Sequence, residues 1–261
     1  MKLRVMSMNL RNSGAQDGKN IWKNRKGLVQ EILQTYQPDI ISFQEALLDQ
    51  MHDVIAMLPE YEHVGVARED GKEEGEFNPI FYKNLNAEQS GTFWLSDTPE
   101  IPSCTWGGLT RICTWIVVAV PVPFAFLNTH VDHKSFQAQM HSMDLLITTA
   151  KTYAARMPVV LVGDFNYTPD SEPYSKLAAY MRDSYREDPA NTEDTCITWH
   201  DFTGTCHVNE SSKGRIDYVW LKGDMQVERS WIVFDRPGSD PGLYPSDHWP
   251  IACDLAFGPE S

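Results

Sequence analysis

Carboxylates, amides and histidines recur along this chain at the ends of short apolar runs. Asn9 follows Val5–Met8, Glu45 follows Ile40–Gln44, His130 follows Phe126–Thr129, and Asp164 and Asn166 follow Val159–Gly163. Asp217 lies in the run Ile216–Leu221, and Asp247-His248 precede Ile251–Phe257. Carboxylate and amide oxygens are hard ligands that suit Mg²⁺ or Mn²⁺. Asn and His side chains donate hydrogen bonds to phosphate oxygens. No Ser sits in a G-x-S-x-G elbow and no H-E-x-x-H pair is present, which favours attack by activated water over a covalent serine or cysteine route. Singly, each residue is better explained by a polar side chain closing a strand. The same chemical vocabulary at one strand end after another points to a shared mouth.

Positioning these groups falls to an alternation of strand and helix patterns. Leu3–Met8, Ile40–Phe43, Ile80–Lys83, Thr92–Leu95, Ile112–Val120, Phe124–Asn128, Val159–Val162, Ile216–Leu221, Val227–Phe234 and Ile251–Phe257 read as strands. Trp22–Tyr36, Leu47–Leu58, Ser135–Met157 and Pro173–Met181 have helical spacing. Leu28, Ile32 and Leu33 form the apolar stripe of the first helix, and Pro38 ends it. Arg68–Glu76 reads as a polar loop. No repeat or linker divides the chain, so residues 1–261 are expected to form a single domain. The alternation predicts an α/β architecture in which two sheets pack face to face under outer helices. With no G-x-G-x-x-G after the first strand and no P-loop, a dinucleotide-binding fold is disfavoured.

Gly163-Asp164-Phe165-Asn166, Ser246-Asp247-His248, Gln44-Glu45 and Arg215-Ile216-Asp217-Tyr218, together with Asn9 and Asn128-Thr129-His130, occur in an order that resembles the endonuclease/exonuclease/phosphatase (DNase I-like) superfamily. The resemblance runs from residue 3 to about residue 257. It implies a four-layer α/β sandwich, with two mixed β-sheets packed face to face, helices on the outside and the site at one edge. It also implies that Glu45 is the principal Mg²⁺ (or Mn²⁺) ligand, with Asn9 and Asp247 beside it. Asp164 would orient or deprotonate the attacking water, a metal-bound hydroxide being the alternative. Asn166 would hold phosphate and water in line. His248, kept cationic by Asp217, would stabilise phosphoryl charge, and His130 would contact the phosphate. Tyr82 resembles a family tyrosine that touches phosphate; the alternative is a core aromatic. Arg111 reads as a bidentate phosphate contact or as an Arg held by a carboxylate. Trp199, His200 and Phe202 read as a stacking surface for a base or sugar ring, or as loop packing. His133 and His141 read as solvated.

Twenty-two Lys and Arg against thirty-six Asp and Glu leave a net charge of −14. Nonspecific nucleic-acid binding rests on a basic surface that displaces counterions, so long polyanions are disfavoured. The expected reaction is hydrolysis of a small or terminal phosphomonoester or phosphodiester. The alternative is a metal-dependent nuclease, a 3′-exonuclease or endonuclease on single-stranded RNA or DNA. A non-catalytic binding domain is a more distant one. Arg111–Trp115 followed by Asn128–His133 resembles the deadenylase-like branch of the superfamily. Five Cys without a C-x-x-C pair argue against a zinc site and exclude a complete disulfide set. The N-terminus lacks the apolar run of a signal peptide, and no apolar stretch is long enough to span a bilayer. A cytoplasmic protein with no membrane partner is expected.

Overall fold

In chain order the elements are β1 (Lys2–Asn9), α1 (Trp22–Tyr36), β2 (Ile40–Gln44), α2 (Leu48–Met57), β3 (Glu62–Val64), β4 (Ile80–Tyr82), β5 (Asn86–Trp94), β6 (Ile112–Val120), β7 (Phe124–His130), α3 (Phe136–Ala154), β8 (Val159–Asp164), α4 (Glu172–Ala178), β9 (Arg182–Asp183), α5 (Ser184–Glu187), β10 (Asp217–Lys222), β11 (Met225–Ile232) and β12 (Ile251–Phe257). The computed structural model describes residues 1–120, 122–191, 196–207 and 214–258. One sheet has the order β11-β12-β1-β2-β4-β3, the other β5-β6-β7-β8-β10-β9. Both are mixed: β1–β2 and β7–β8 pair in parallel, whereas β1–β12 and β8–β10 are antiparallel.

Three apolar clusters define the layers. Between the sheets, Val5 and Ile40 of one meet Phe126, Val160, Val162 and Val219 of the other. Outside the first sheet, Met6, Met8, Ile41 and Phe43 pack against Val29, Ile32 and Val54 of α1 and α2. Outside the second, Leu127, Val159 and Leu161 pack against Met143, Leu146 and Leu177 of α3 and α4. Successive strand residues point to opposite faces, so both faces of β8 are covered and its apolar run is continuous rather than alternating. This is the expected four-layer α/β sandwich. The sequence pattern missed β3 and the first half of β5, because Asn86–Ser90 on that edge strand is polar and largely exposed. Among the described residues no helix is long and apolar enough to cross a membrane.

Strand direction explains why the polar groups converge. β1, β2, β7 and β8 run toward one edge and deliver Asn9, Glu45, His130 and Asp164 at their C-terminal ends, in register Asn9↔Gln44 and His130↔Asp164. The antiparallel β10 starts there, with Asp217 opposite Asp164, and β12 starts just after His248. Asn128 stitches the sheets together near this edge. Its Nδ2 donates to the carbonyls of Phe43 (2.8 Å) and Pro79 (3.0 Å), and its Oδ1 accepts from Gln44 Nε2 (2.7 Å).

Arg25 is a further joint. It is fully buried on the inner face of α1, where its guanidinium donates to the carbonyls of Leu10 (2.5 Å), Arg11 (2.5 Å), Asn20 (2.8 Å) and Pro245 (2.9 Å). It thereby ties the segment after Asn9 to the segment before Asp247. Removing a charged donor from buried acceptors leaves them unpaired, at about 1.5–3 kcal/mol per charge-assisted bond. Arg25→Met is therefore expected to lose roughly 3 kcal/mol or more, which lowers Tm by about 6–12 °C in a chain of this size. Arg25→Lys should recover little, since one ammonium cannot reach four carbonyls. Thermal melting checks this, and an unchanged Tm for Arg25→Met would refute the joint.

Candidate active site

The strand ends surround a small pocket, about 190 Å³, lined by Arg11, Glu45, His130, His133, Asp164, Asn166, Trp199, Ile216, Asp247 and His248. Three of these residues, or their immediate strand exits, turn with left-handed backbone: Arg11 (φ 54°), Glu45 (φ 60°) and Asn166 (φ 54°). Such conformations cost non-glycine residues on the order of 1–3 kcal/mol each and persist where the surroundings enforce them. Here they swing each side chain off its strand axis into the mouth. Gly163 (φ 140°) has a packing reason instead, because a Cβ there would run into the Thr129 carbonyl of β7.

Polar contacts link the whole cluster. Asn9 Nδ2 donates to Glu45 Oε1 (3.1 Å) and Asp164 Oδ2 (3.0 Å), while its Oδ1 accepts from the Arg11 N–H (2.8 Å). Glu45 Oε2 accepts from the N–H and Nδ2 of Asn12 (both 3.1 Å). Asp164 Oδ1 accepts from the Asn166 N–H (3.0 Å), and its Oδ2 lies 3.4 Å from His130 Nε2 and 3.8 Å from His248 Nε2. Asn166 Nδ2 sits 3.0 Å from His130 Nε2. His248 Nδ1 is 2.9 Å from Asp217 Oδ2, and Asp247 Oδ2 is 3.8 Å from Arg11 Nε.

Burial and crowding set the charges. Burial alone would push His248 down, but the charge and hydrogen bond of Asp217, joined by Asp164 and Asp247, push it up to about 10. It is a cation throughout the neutral range. Burial and the charge of Asp217 push the Asp164 carboxyl up to about 7, against the pull of His248 and Asn9. Burial also raises Asp247. For Glu45 the upward push of burial is outweighed by the Asn9 hydrogen bond, the His248 charge and the Asn12 N–H, so this carboxylate stays below its ordinary value. His130 goes the other way: burial and the adjacent Arg111 guanidinium, 3.0 Å from its Nδ1, hold it neutral. The result is one imidazolium among four carboxylates, with a neutral imidazole alongside.

Similarity to known proteins fits this geometry. The model of the endonuclease/exonuclease/phosphatase family matches residues 6–248. The chain belongs to this family. A mannosyl-6-phosphatase from Bacteroides thetaiotaomicron VPI-5482 is 30% identical, with a TM-score of 0.88 over 98% of this chain and all (100%) of that one. An endonuclease/exonuclease/phosphatase from Bacteroides vulgatus is 31% identical, with a TM-score of 0.88 over 99% of this chain and 100% of that one. Mouse nocturnin is 24% identical along 99% of this chain, which spans 66% of nocturnin's length. As a member of the endonuclease/exonuclease/phosphatase family, the chain is a phosphoester hydrolase.

Within this family member the sequence-predicted residues fall into two groups. Asn9, Glu45, His130, Asp164, Asn166, Asp217, Asp247 and His248 come together as described. Arg111 stands directly behind His130 rather than on the pocket lining, and its NH1 also lies 3.3 Å from Glu76 Oε2. Arg111 is thus an Arg held by a carboxylate, the second of its two sequence readings. Tyr82 is not brought to the pocket. It is buried in the core between the sheets, opposite Ile40, and its hydroxyl donates to Glu62 (3.4 Å). His133 stands on the lining of the pocket and is exposed, in keeping with the solvated reading of the sequence. Arg11 was not anticipated, although an Arg two positions beyond a strand-end Asn was its visible signal. Arg25 left a clearer one, a cation interrupting the apolar stripe of Trp22, Val29 and Ile32.

Proposed function

We propose that the chain is a divalent-cation-dependent phosphomonoesterase acting on a small, neutral leaving group of the sugar type. The observation that carries this reading is the pocket itself. At about 190 Å³ it is smaller than the 300–1,000 Å³ usual for drug-sized ligands, which suits a phosphoryl group carried by a small alcohol. Cationic groups for that phosphoryl, Arg11 and His248, stand inside a molecule of net charge −14 that repels extended polyanions. The likeness to a mannosyl-6-phosphatase along nearly the whole chain supports the same substrate class.

A hard cation fits the residues present. Four carboxylates crowd the mouth, burial raises two of them, and the buried Asp217 Oδ1 has no hydrogen-bond partner among the described residues. Asp164, Asp217 and His248 offer atoms within 4.8 Å of one another, but His248 is a protonated partner of Asp217 and has no lone pair to lend. Glu45 is the better anchor, with Asp247 beside it and Asn9 able to contribute once its amide turns its oxygen inward. Bound there, Mg²⁺ or Mn²⁺ would neutralise phosphoryl charge and make water more acidic.

The chain's own residues then divide the work. Asp164 accepts a proton from the attacking water, whose oxygen bonds to phosphorus. Asn166 and neutral His130 orient the phosphoryl group, and cationic His248 stabilises its developing charge. The ester oxygen departs with the P–O bonding pair and is protonated from bulk water. The test is a substrate panel of sugar phosphates, aryl mono- and diesters and labelled oligonucleotides, run with Mg²⁺, with Mn²⁺ and with EDTA. Phosphate release from sugar phosphates that EDTA abolishes is expected. Cleavage confined to oligonucleotides would replace this reading by the nuclease one.

A further inference from the structure

We infer that Arg111 is a positioning residue that fixes His130 in the tautomer with its proton on Nε2, facing the phosphoryl group. This role rests on the phosphomonoesterase reading only for what His130 meets. Arg111 is buried and immediately precedes β6. The antiparallel pairing of β6 and β7, with Cys113 opposite Thr129, carries it alongside the end of β7 where His130 sits. Its NH1 lies 3.0 Å from His130 Nδ1 and 3.3 Å from Glu76 Oε2, and its NH2 lies 3.3 Å from His133 Nδ1. Glu76 in turn pairs with Arg68. The last residue of the polar loop thus reaches into the fold and, with His133, sets the plane of the guanidinium.

A guanidinium has five N–H donors, no acceptor, and keeps its charge in proteins. The ring nitrogen facing it must therefore accept, so His130 Nδ1 carries a lone pair. An imidazole with one accepting nitrogen has its proton on the other. The surroundings of Nε2 agree, because Asp164 Oδ2 is 3.4 Å away and a carboxylate repels a lone pair but attracts an N–H. Neighbours on opposite sides of the ring demand the same tautomer.

Asn166 stands beside this N–H. Its Nδ2 donates to the Val131 carbonyl (3.1 Å), which settles which end of the amide is nitrogen, and lies 3.0 Å from His130 Nε2. Two donor nitrogens this close repel each other unless an acceptor lies within reach of both. A phosphoryl oxygen is such an acceptor, and hydrogen bonds to ionised groups are roughly twice as strong as neutral ones. The other tautomer would aim a lone pair at the same oxygen. Moving one proton across the ring reverses the sign of the contact, and Arg111, itself off the pocket lining, decides which side holds it.

The experiment is a proton–nitrogen correlation spectrum of the imidazole rings in Mg²⁺-supplemented protein, with His130 assigned from His130→Gln. The wild-type ring is expected to show a protonated Nε2 and a bare Nδ1, and inorganic phosphate should shift the Nε2–H signal. In Arg111→Met, which fills the space without a donor, both tautomers should appear, and kcat on a sugar phosphate should fall roughly 10²-fold. Arg111→Lys restores a donor and the charge. It should return the single tautomer and recover about tenfold of the lost rate. A wild-type ring protonated at Nδ1 overturns the inference, and that result needs no variant to fold. So does an Arg111→Met ring that keeps the wild-type tautomer. An Nε2–H signal that phosphate leaves in place, in protein that hydrolyses sugar phosphates, removes the donor role. If no phosphomonoester is turned over but the tautomer is found and is lost in Arg111→Met, the phosphomonoesterase reading falls and the hold of Arg111 on His130 stands.

Discussion

Asp164→Asn is expected to lower kcat on a phosphomonoester by roughly 10²–10⁴-fold, the range for losing a positioned general base. The amide keeps the size of the carboxylate and an oxygen for the Asn166 N–H, so the site's shape should survive. What disappears is the proton acceptor. In the wild type this carboxyl sits at about 7, because it is buried and faces Asp217. It is ionised, and able to accept a proton, only above that value, so the wild-type rate should rise as the pH passes about 7 and the variant should show no such limb. Stability should move in the opposite direction. A carboxyl whose pKa is raised in the fold contributes stability that is fully present below its ordinary value, near 3.8, and lost as pH rises through about 7. Removing that burden should raise the Tm of Asp164→Asn above wild type at pH 8, with the gap closing toward pH 4. Initial rates and melting curves across pH test both halves. A variant with kcat within tenfold of wild type would remove Asp164 from the proton transfer.

The second large effect concerns Asp217, which never needs to touch the substrate. Asp217→Asn removes the neighbouring charge and hydrogen bond that hold His248 protonated against burial. The wild-type imidazolium persists up to about 10, so activity should decline only above that pH. In the variant the burial of His248 is opposed by weaker partners, and the alkaline limb should move down toward neutrality. At pH 8 the loss is expected to be on the order of 10²–10³-fold, as for removal of one preorganised charge stabiliser, and part of it should return as the pH is lowered. The stability contribution of the pair has a defined window. His248 is raised above its ordinary 6.5, so the contribution is complete below that value and drains away as pH rises through about 10. Wild type and variant should therefore differ most in Tm below pH 6.5. A pH–rate profile for Asp217→Asn that overlays the wild type, merely scaled, would show that the pair is structural.

Both predictions draw on the same design feature, an excess of buried negative charge at the mouth. Glu45 escapes the rise seen in Asp164 and Asp247 because Asn9, Asn12 and His248 all favour its ionised form. On the proposed function that difference would separate two roles within one cluster: the carboxylate held below its ordinary value suits a cation, and the carboxyl near neutrality suits proton exchange. The left-handed turns at Arg11, Glu45 and Asn166 are the backbone expression of the same compromise, since the fold holds them against their local preference.

Much of this was open to reading in the residue order. The period of apolar residues places α1, β6 and β12 at their observed bounds, because helix and strand burial repeat with different spacings. The reaction class was legible through the family resemblance of the ordered motifs, while the residue inventory by itself favoured only attack by activated water. Direction and register were not. Tyr82 lies in a run much like those that end at the site, but β4 runs antiparallel to β2. Pro79 is therefore beside Phe43 near the mouth, while Tyr82 is carried back to Ile40 at the other end. Arg111, bonded through its carbonyl to Leu95, and Trp199, bridged to His248, show the same dependence on pairing. The charge states were equally hidden, because one carboxyl type sits near 7 at Asp164 and below its ordinary value at Glu45 solely through burial and neighbours. Residue types and local periodicity set which groups exist and which element bears them; only the packing of two sheets decides which of them meet, how dry they are and which proton each one keeps.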